Sequence, residues 1–187
     1  MTDASRNPAA IPLDAAFRAA MRRLAATVTV ISTRADDGIR HGMTATAVTS
    51  VSADPPAVLA CVNRSAALHA QLHLGQLFCI NLLHRSQQRL SEVFSGAMEG
   101  ETRFAEGSWL SDAAGVPYLD GAQANIFCEI EAIHAYGTHS ICIGRVTGAI
   151  SRADVDPLVY QDGCYMGTAR IEGGPIDACG PGPDQDS

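Results

Sequence analysis

The sequence predicts a mainly β domain, an antiparallel barrel with short helices at its periphery. Three observations carry this. Short β-branched or apolar runs recur along the chain, and tight turns rich in Gly and Asp join them as hairpins. No stretch alternates strands with long helices, which argues against a doubly wound parallel sheet. Many hairpin-linked strands leave edges, and closing the sheet into a barrel disposes of them. Composition agrees with a packed domain, at 47% hydrophobic and 18% charged, and with only 5% aromatics the core must be aliphatic.

The elements follow in order. Residues 1–12, broken by Pro8 and Pro12, read as a flexible arm. Leu13 to Ala26 predicts a helix, with Phe17, Met21 and Leu24 on one face and Asp14 suiting the dipole near its start. Thr27 to Thr33 is β-branched and alternating, hence a strand, and Ala35 to Gly38 a turn. His41 to Ser52 alternates small polar with apolar residues and predicts one strand, stopped by Asp54-Pro55-Pro56. Ala57 to Val62 is a compact apolar strand. Ser65 is placed as the N-cap of a helix that carries Leu68 and Leu72 on one face and ends at Gly75. Phe78 to Leu83 is a buried strand, Ser86 to Phe94 a short helix, and residues 95–125 are loop-rich. Ile126 to Tyr136 and Ser140 to Ser151 are strands about the turn Gly137-Thr138-His139. Leu158 to Tyr160 and Cys164 to Met166 pair around Asp162-Gly163. The barrel domain thus spans 13–168, and the Gly/Pro/acidic tail 169–187 cannot hold a core.

Charge and motifs exclude several classes. Thirteen Lys and Arg against twenty Asp and Glu give -7, so no nucleic-acid partner is expected. No run of ~18 apolar residues predicts a membrane span. The opening MTDASRNPAAIP lacks a basic flank followed by an apolar stretch, so a cytoplasmic location is expected. The six cysteines form no C-x-x-C pair, and most sit in apolar runs, as small reduced hydrophobes do. His69 and His73 stand four apart without an acidic neighbour and read as a surface pair rather than a metal site. The G-x-G-x-x-G, P-loop, H-E-x-x-H and G-x-S-x-G signatures are all missing.

Two stretches could carry chemistry. Thr44 to Ser52 holds five hydroxyl side chains in nine residues, among small alanines. Such a strand lets a flat ligand approach the main chain; it is equally a strand that favours threonine. In Cys61-Val62-Asn63-Arg64-Ser65-Ala66 a strand ends, an arginine and a hydroxyl follow, and a helix begins. That is an anion site or a plain N-cap beside a surface arginine.

The block GMTATAVTSVSADPPAVLACVNRSAALHAQLHLGQLFCINLL, residues 42–83, resembles the hallmark region of the flavin reductase family. Weaker matches follow in the right order: Gln88 to Phe94, Arg103-Phe104, Trp109, Gly115 to Leu119, Gly137-Thr138-His139, and Pro157 to Tyr165. The resemblance covers roughly residues 13–168 and implies the FMN-binding split-barrel fold, of Greek-key type. It implies hydride transfer from NADH or NADPH to FMN, or FAD, with reduced flavin passing to a separate flavin-dependent oxygenase. It also implies a homodimer with flavin near the interface. By the same resemblance Thr44, Ala45, Thr46 and Ala47 line the isoalloxazine, and Ser50, Val51 and Ser52 continue that surface. Cys61 opens the segment whose Asn63, Arg64 and Ser65 hold the ribityl–phosphate end. Asn81 and Phe104 form pocket wall, and Tyr165 covers the nicotinamide side. His139 matches a histidine near flavin and nicotinamide. The family often shows Gly-Asp-His, whereas this chain has Gly137-Thr138-His139, which removes an acid that would orient the ring. No evident basic cluster awaits a 2′-phosphate, which leans toward NADH. A split-barrel flavoprotein that keeps its flavin and oxidises a small molecule, and a non-catalytic flavin-binding module, are the alternatives.

Overall fold

A computed structural model describes residues 11–169, so most of the N-terminal arm, nearly all of the tail and Cys179 lie outside the described residues. The first helix, α1, runs Leu13–Met21. The strands are β1 Ala26–Thr27, β2 Thr29–Arg34, β3 Arg40–Ala45, β4 Val48–Ala53, β5 Pro56–Asn63, β6 Leu77–Leu82, β7 Trp109–Ser111, β8 Pro117–Leu119, β9 Ala124–Tyr136, β10 His139–Ser151, β11 Val159–Gln161 and β12 Cys164–Met166.

Seven of these form one antiparallel sheet in the order β3-β2-β6-β9-β10-β5-β4. The two edge strands, β3 and β4, are consecutive in the chain and separated only by Thr46 and Ala47. That short link draws the opposite edges together and closes the sheet on itself. The expected single strand His41–Ser52 is therefore two strands with different partners. β3 pairs with β2, and β4 pairs with β5. Alternation alone says nothing about which neighbour each half of a run pairs with. The carbonyls flanking the corner are both used: Thr29 Oγ1 donates to Ala45 O at 2.7 Å, and Cys61 N donates to Ala47 O at 2.9 Å.

Inside the barrel pack Ile31, Val62, Phe78, Ile80, Ile130 and Cys142, supplied by five strands. A second core fills the outer face of β2, where Val28 and Val30 meet Leu83, Leu90, Phe94, Phe104 and Leu158. β2 is thus buried on both faces, which is why its sequence is apolar or β-branched almost throughout. Burial also pushes the free thiol of Cys128 up to about 12 and that of Cys142 up to about 11, so both are neutral hydrophobes.

Two helices differ from expectation. α1 ends at Met21 rather than Ala26, and none of its residues is buried. Its end is held instead by the β11–β12 turn: Arg22 Nε donates to Asp162 Oδ1 at 2.9 Å, and Asp162 N donates to Arg22 O at 3.0 Å. The helix expected after Ser65 is a five-residue 3-10 turn, Ala67–Gln71, with no side-chain cap. The amide and hydroxyl of Ser65 both donate to Asn63 Oδ1, at 3.0 and 2.9 Å, so Ser65 closes an Asx turn and caps nothing. The predicted helix Ser86–Phe94 is present as a 3-10 turn Arg85–Gln87, then α2 Gln88–Glu92, then a π turn Val93–Ala97. No helix among the described residues is long and apolar enough to cross a membrane.

Candidate active site

β3 and the corner after it form one wall of a continuous groove. Its largest part, a cleft of about 570 Å³, lies between Gly42–Thr44, Asn63 with residues 65–67, and the 94–103 segment. Thr44 and Ser95 also line a neighbouring hollow of about 270 Å³, shared with Ala45, Thr46, Tyr160 and Tyr165. Thr46 and Tyr160 carry the groove on into an apolar hollow of about 370 Å³ beside Met21, Leu24 and Ala47.

Local chemistry explains the walls. Thr44 Oγ1 donates to Ser91 O at 2.7 Å, and Ser91 Oγ shares a 2.9 Å hydrogen bond with Tyr165 Oη. This chain ties β3, α2 and β12 into one rigid side, so the Thr44 hydroxyl is committed to the wall. A Cβ on Gly42 would come 2.6 Å from Phe94 Cε1, so only glycine lets the aromatic ring lie against β3 here. Gly96, at φ +126°, breaks the helical backbone of the π turn where it lines the cleft, a conformation that favours glycine. Arg103 is half-buried and lines the cleft; its Nε donates to Met98 O at 2.6 Å and its Nη1 to Gly42 O at 3.1 Å. Arg40 Nε pairs with Glu101 at 2.8 Å, which holds that carboxyl below its usual range.

The structure brings together many of the residues singled out in the sequence. Thr44, Ala45, Thr46, Ala47, Asn63, Ser65 and Tyr165 all line the groove. Asn63 on β5 faces His139 across the β5–β10 ladder. His139 is exposed and lies outside the groove lining, and its Nδ1 is 2.9 Å from Thr138 Oγ1. A hydroxyl therefore partners the ring where the expected acid is missing. His69 turns its Nε2 to Ser140 Oγ at 2.9 Å, while His73 lies beyond the 3-10 turn, so the two do not share a helix face.

Other residues stand elsewhere. Asn81 is fully buried and belongs to the core, not to a pocket wall. Its Nδ2 donates to Val30 O and Ser32 Oγ, and its Oδ1 accepts from Leu119 N and Asn125 Nδ2. Phe104 is buried behind the cleft, edge-on to Phe94 at 5.1 Å and to Trp109 at 4.8 Å, with the Arg40 guanidinium over its ring. Cys61 is a half-buried ladder residue opposite Ile141, away from the groove lining. Arg64 is exposed outside the cleft. Ser50, Val51 and Ser52 sit on edge strand β4, where a bulge at Val51 leaves that side chain exposed, and they do not line the groove. Sequence reasoning missed Arg103, Ser95 and Tyr160, because nothing local says that the loop-rich segment folds over β3.

The chain matches known proteins along this whole region. Residues 21–169 match the Flavin reductase like domain family. The chain is 45% identical over 150 residues to the reductase component of the FADH(2)-dependent resorcinol hydroxylase of Rhizobium sp., covering 80% of this chain and 84% of that protein. It is 39% identical over 164 residues to the FMN reductase (NADH) RutF of Pseudomonas syringae, covering 86% and 92%. The styrene monooxygenase flavin reductase of Pseudomonas putida S12 superimposes with a TM-score of 0.74 at 32% identity, covering 83% of this chain and 98% of that one. The antiparallel barrel closed at Thr46-Ala47, the groove of small side chains along β3 and these matches agree: the chain belongs to the flavin reductase family and has its split-barrel fold.

Proposed function

We propose that this flavin reductase family oxidoreductase transfers a hydride from NADH to FMN and releases the reduced flavin to a separate oxygenase component. The observation that carries the reading is the groove along β3, with small residues on its floor and a cation at one end. Ala45, Thr46, Ala66, Ala67, Ser95 and Gly96 are small enough for a planar ring to approach the backbone, and Arg103 offers charge to an anionic tail. The residues present therefore fit a flavin mononucleotide. When bound, the flavin and the nicotinamide supply the hydride chemistry, and the protein's share is positioning and exclusion of water. Asn63 and Ser65 face the polar end of the cleft, Thr44 to Ala47 form the ring-facing edge, and Tyr165 closes the side pinned by Ser91. His139, held by Thr138, stands next to Asn63 and is the side chain we assign to the nicotinamide.

A homodimer belongs to the same reading. Val51 is 52% exposed on edge strand β4, beside Ser50 and Ser52, and a flavin role for these residues requires a second surface over that strand. Free thiols at all five described cysteines accord with a cytoplasmic location. The related resorcinol hydroxylase component is named for FADH(2) and the related RutF for FMN, so the flavin is settled by assay. NADH and NADPH crossed against riboflavin, FMN and FAD test the proposal. Turnover that scales with free flavin supports the reductase. Tight flavin with no NADH oxidation would favour a binding module, and tight flavin reduced only by another substrate an oxidising flavoprotein.

A further inference from the structure

We propose that Arg103 is the phosphate-recognising cation of the groove, and that it makes the protein select phosphorylated flavins over riboflavin. The inference rests on the flavin reading above and adds a residue that the hallmark block does not contain. Two arginines stand near the groove, Arg64 singled out by the sequence and Arg103 brought in by the fold. Arg64 adjoins Asn63 and Ser65, but it is exposed and outside the cleft lining. Arg103 comes from the distant 3-10 turn Gly100–Ala105 and lines the same cleft as Asn63, Ser65 and Ser95.

The geometry prepares Arg103 for an anion. Its Nε and Nη1 are spent on the carbonyls of Met98 and Gly42, which fixes the plane of the guanidinium. Its Nη2 has no hydrogen-bond partner among the described residues, although the group is half-buried. A guanidinium held by two neutral carbonyls keeps its full charge, and partial burial lessens its screening by water. The acidic groups nearby do not cancel it. Glu101 is paired with Arg40, and Glu92 with Arg89 and Gln88. Glu99 lines the cleft but is exposed, so water screens it more strongly. The Nδ2 of Asn63 supplies a neutral donor at the same space, while the hydroxyls of Ser65 and Ser95 are donated to Asn63 Oδ1 and Glu92 O. The anion expected is a phosphomonoester or the pyrophosphate of a dinucleotide, because both present several oxygens to a fixed fork.

The test is equilibrium binding of riboflavin, FMN and FAD to the full-length protein, followed by flavin fluorescence. Arg103→Gln should weaken FMN by about ten- to a hundredfold, as expected for losing a charge-assisted bond, and riboflavin by less than about threefold. Arg64→Gln should leave the FMN-to-riboflavin ratio within about twofold. Equal weakening of both flavins by Arg103→Gln, or a ratio that follows Arg64, overturns the proposal. Ala67→Asp, at an exposed position lining the same cleft, keeps the test decisive if Arg103→Gln misfolds. It should disfavour FMN and spare riboflavin, and equal losses again overturn the proposal. Wild-type protein that binds FMN no better than riboflavin sinks the Arg103 assignment alone. Wild-type protein that binds neither sinks the flavin reading itself.

Discussion

Thr138 Oγ1 and His139 Nδ1 lie 2.9 Å apart at the tip of the β9–β10 hairpin. The bond leaves the Nε2 of His139 as the free edge of the ring. The same turn is tied to the candidate site, because Arg64 N donates to Thr138 O at 3.0 Å and Asn63 pairs with His139. Thr138→Val removes the hydroxyl at nearly constant volume. The expected result is a two- to tenfold rise in the KM for NADH or fall in the reductive rate, the worth of one hydrogen bond, with riboflavin and FMN affinities unchanged. His139→Ala should cost at least as much. Stopped-flow reduction of flavin reads both, and unaltered kinetics in both variants would leave the pair as surface residues.

Asn81 is a structural hub, so its replacement should unfold rather than disarm the protein. Asn81→Ala leaves Leu119 N–H without its acceptor in the core and the Asn125 amide with only Leu119 O. An unpaired buried donor costs about 1–3 kcal/mol, so a loss in that range is expected. Urea denaturation should show a lower midpoint at constant slope. A loss below about 1 kcal/mol would mean that the hub is dispensable.

Gly42→Ala places a methyl group 2.6 Å from Phe94 Cε1, on the residue whose carbonyl accepts from Arg103. Overpacking of this kind costs about 1–3 kcal/mol. A fall in Tm together with weaker FMN binding is the expected pair of effects. Adding Phe94→Leu should recover part of both, as coupled neighbours do. If the double variant is no better than the single one, the ring contact is not the cause.

Asp162 holds α1 to the β11–β12 hairpin, and this attachment should be acid-sensitive. Its hydrogen bond and charge pairing with Arg22, aided by Arg23, lower its carboxyl below the usual range. A group depressed in the folded state contributes stability above its unfolded value, and that contribution disappears as pH falls through the folded value. Loosening of residues 13–21 should therefore begin below roughly pH 4. The carboxylate is exposed, so a small, local effect is expected. Hydrogen exchange of α1 against pH, compared with Asp162→Asn, reads it. Identical profiles in the two proteins would show that the pairing does not anchor the helix.

The sequence by itself determined the β-rich barrel, most of its strands, the family and the stretch Thr44 to Ala47 with Asn63 and Ser65. These are local facts: alternation, β-branching and turn residues act within a few positions, and the hallmark block is contiguous. Only the tertiary structure decided where His41 to Ser52 breaks, since pairing one half with β2 and the other with β5 is a choice between distant partners. It also decided that Asn81 satisfies the core, because saturation of a buried amide depends on three other strands. Arg103 and Arg64 look alike as letters, and Arg64 has the better sequence neighbours. The difference between them is that the 94–103 segment folds across β3, carried by Phe94 packing on Gly42 and by Arg103 donating to Gly42 O. Long-range packing of this kind leaves no period or spacing in a single sequence.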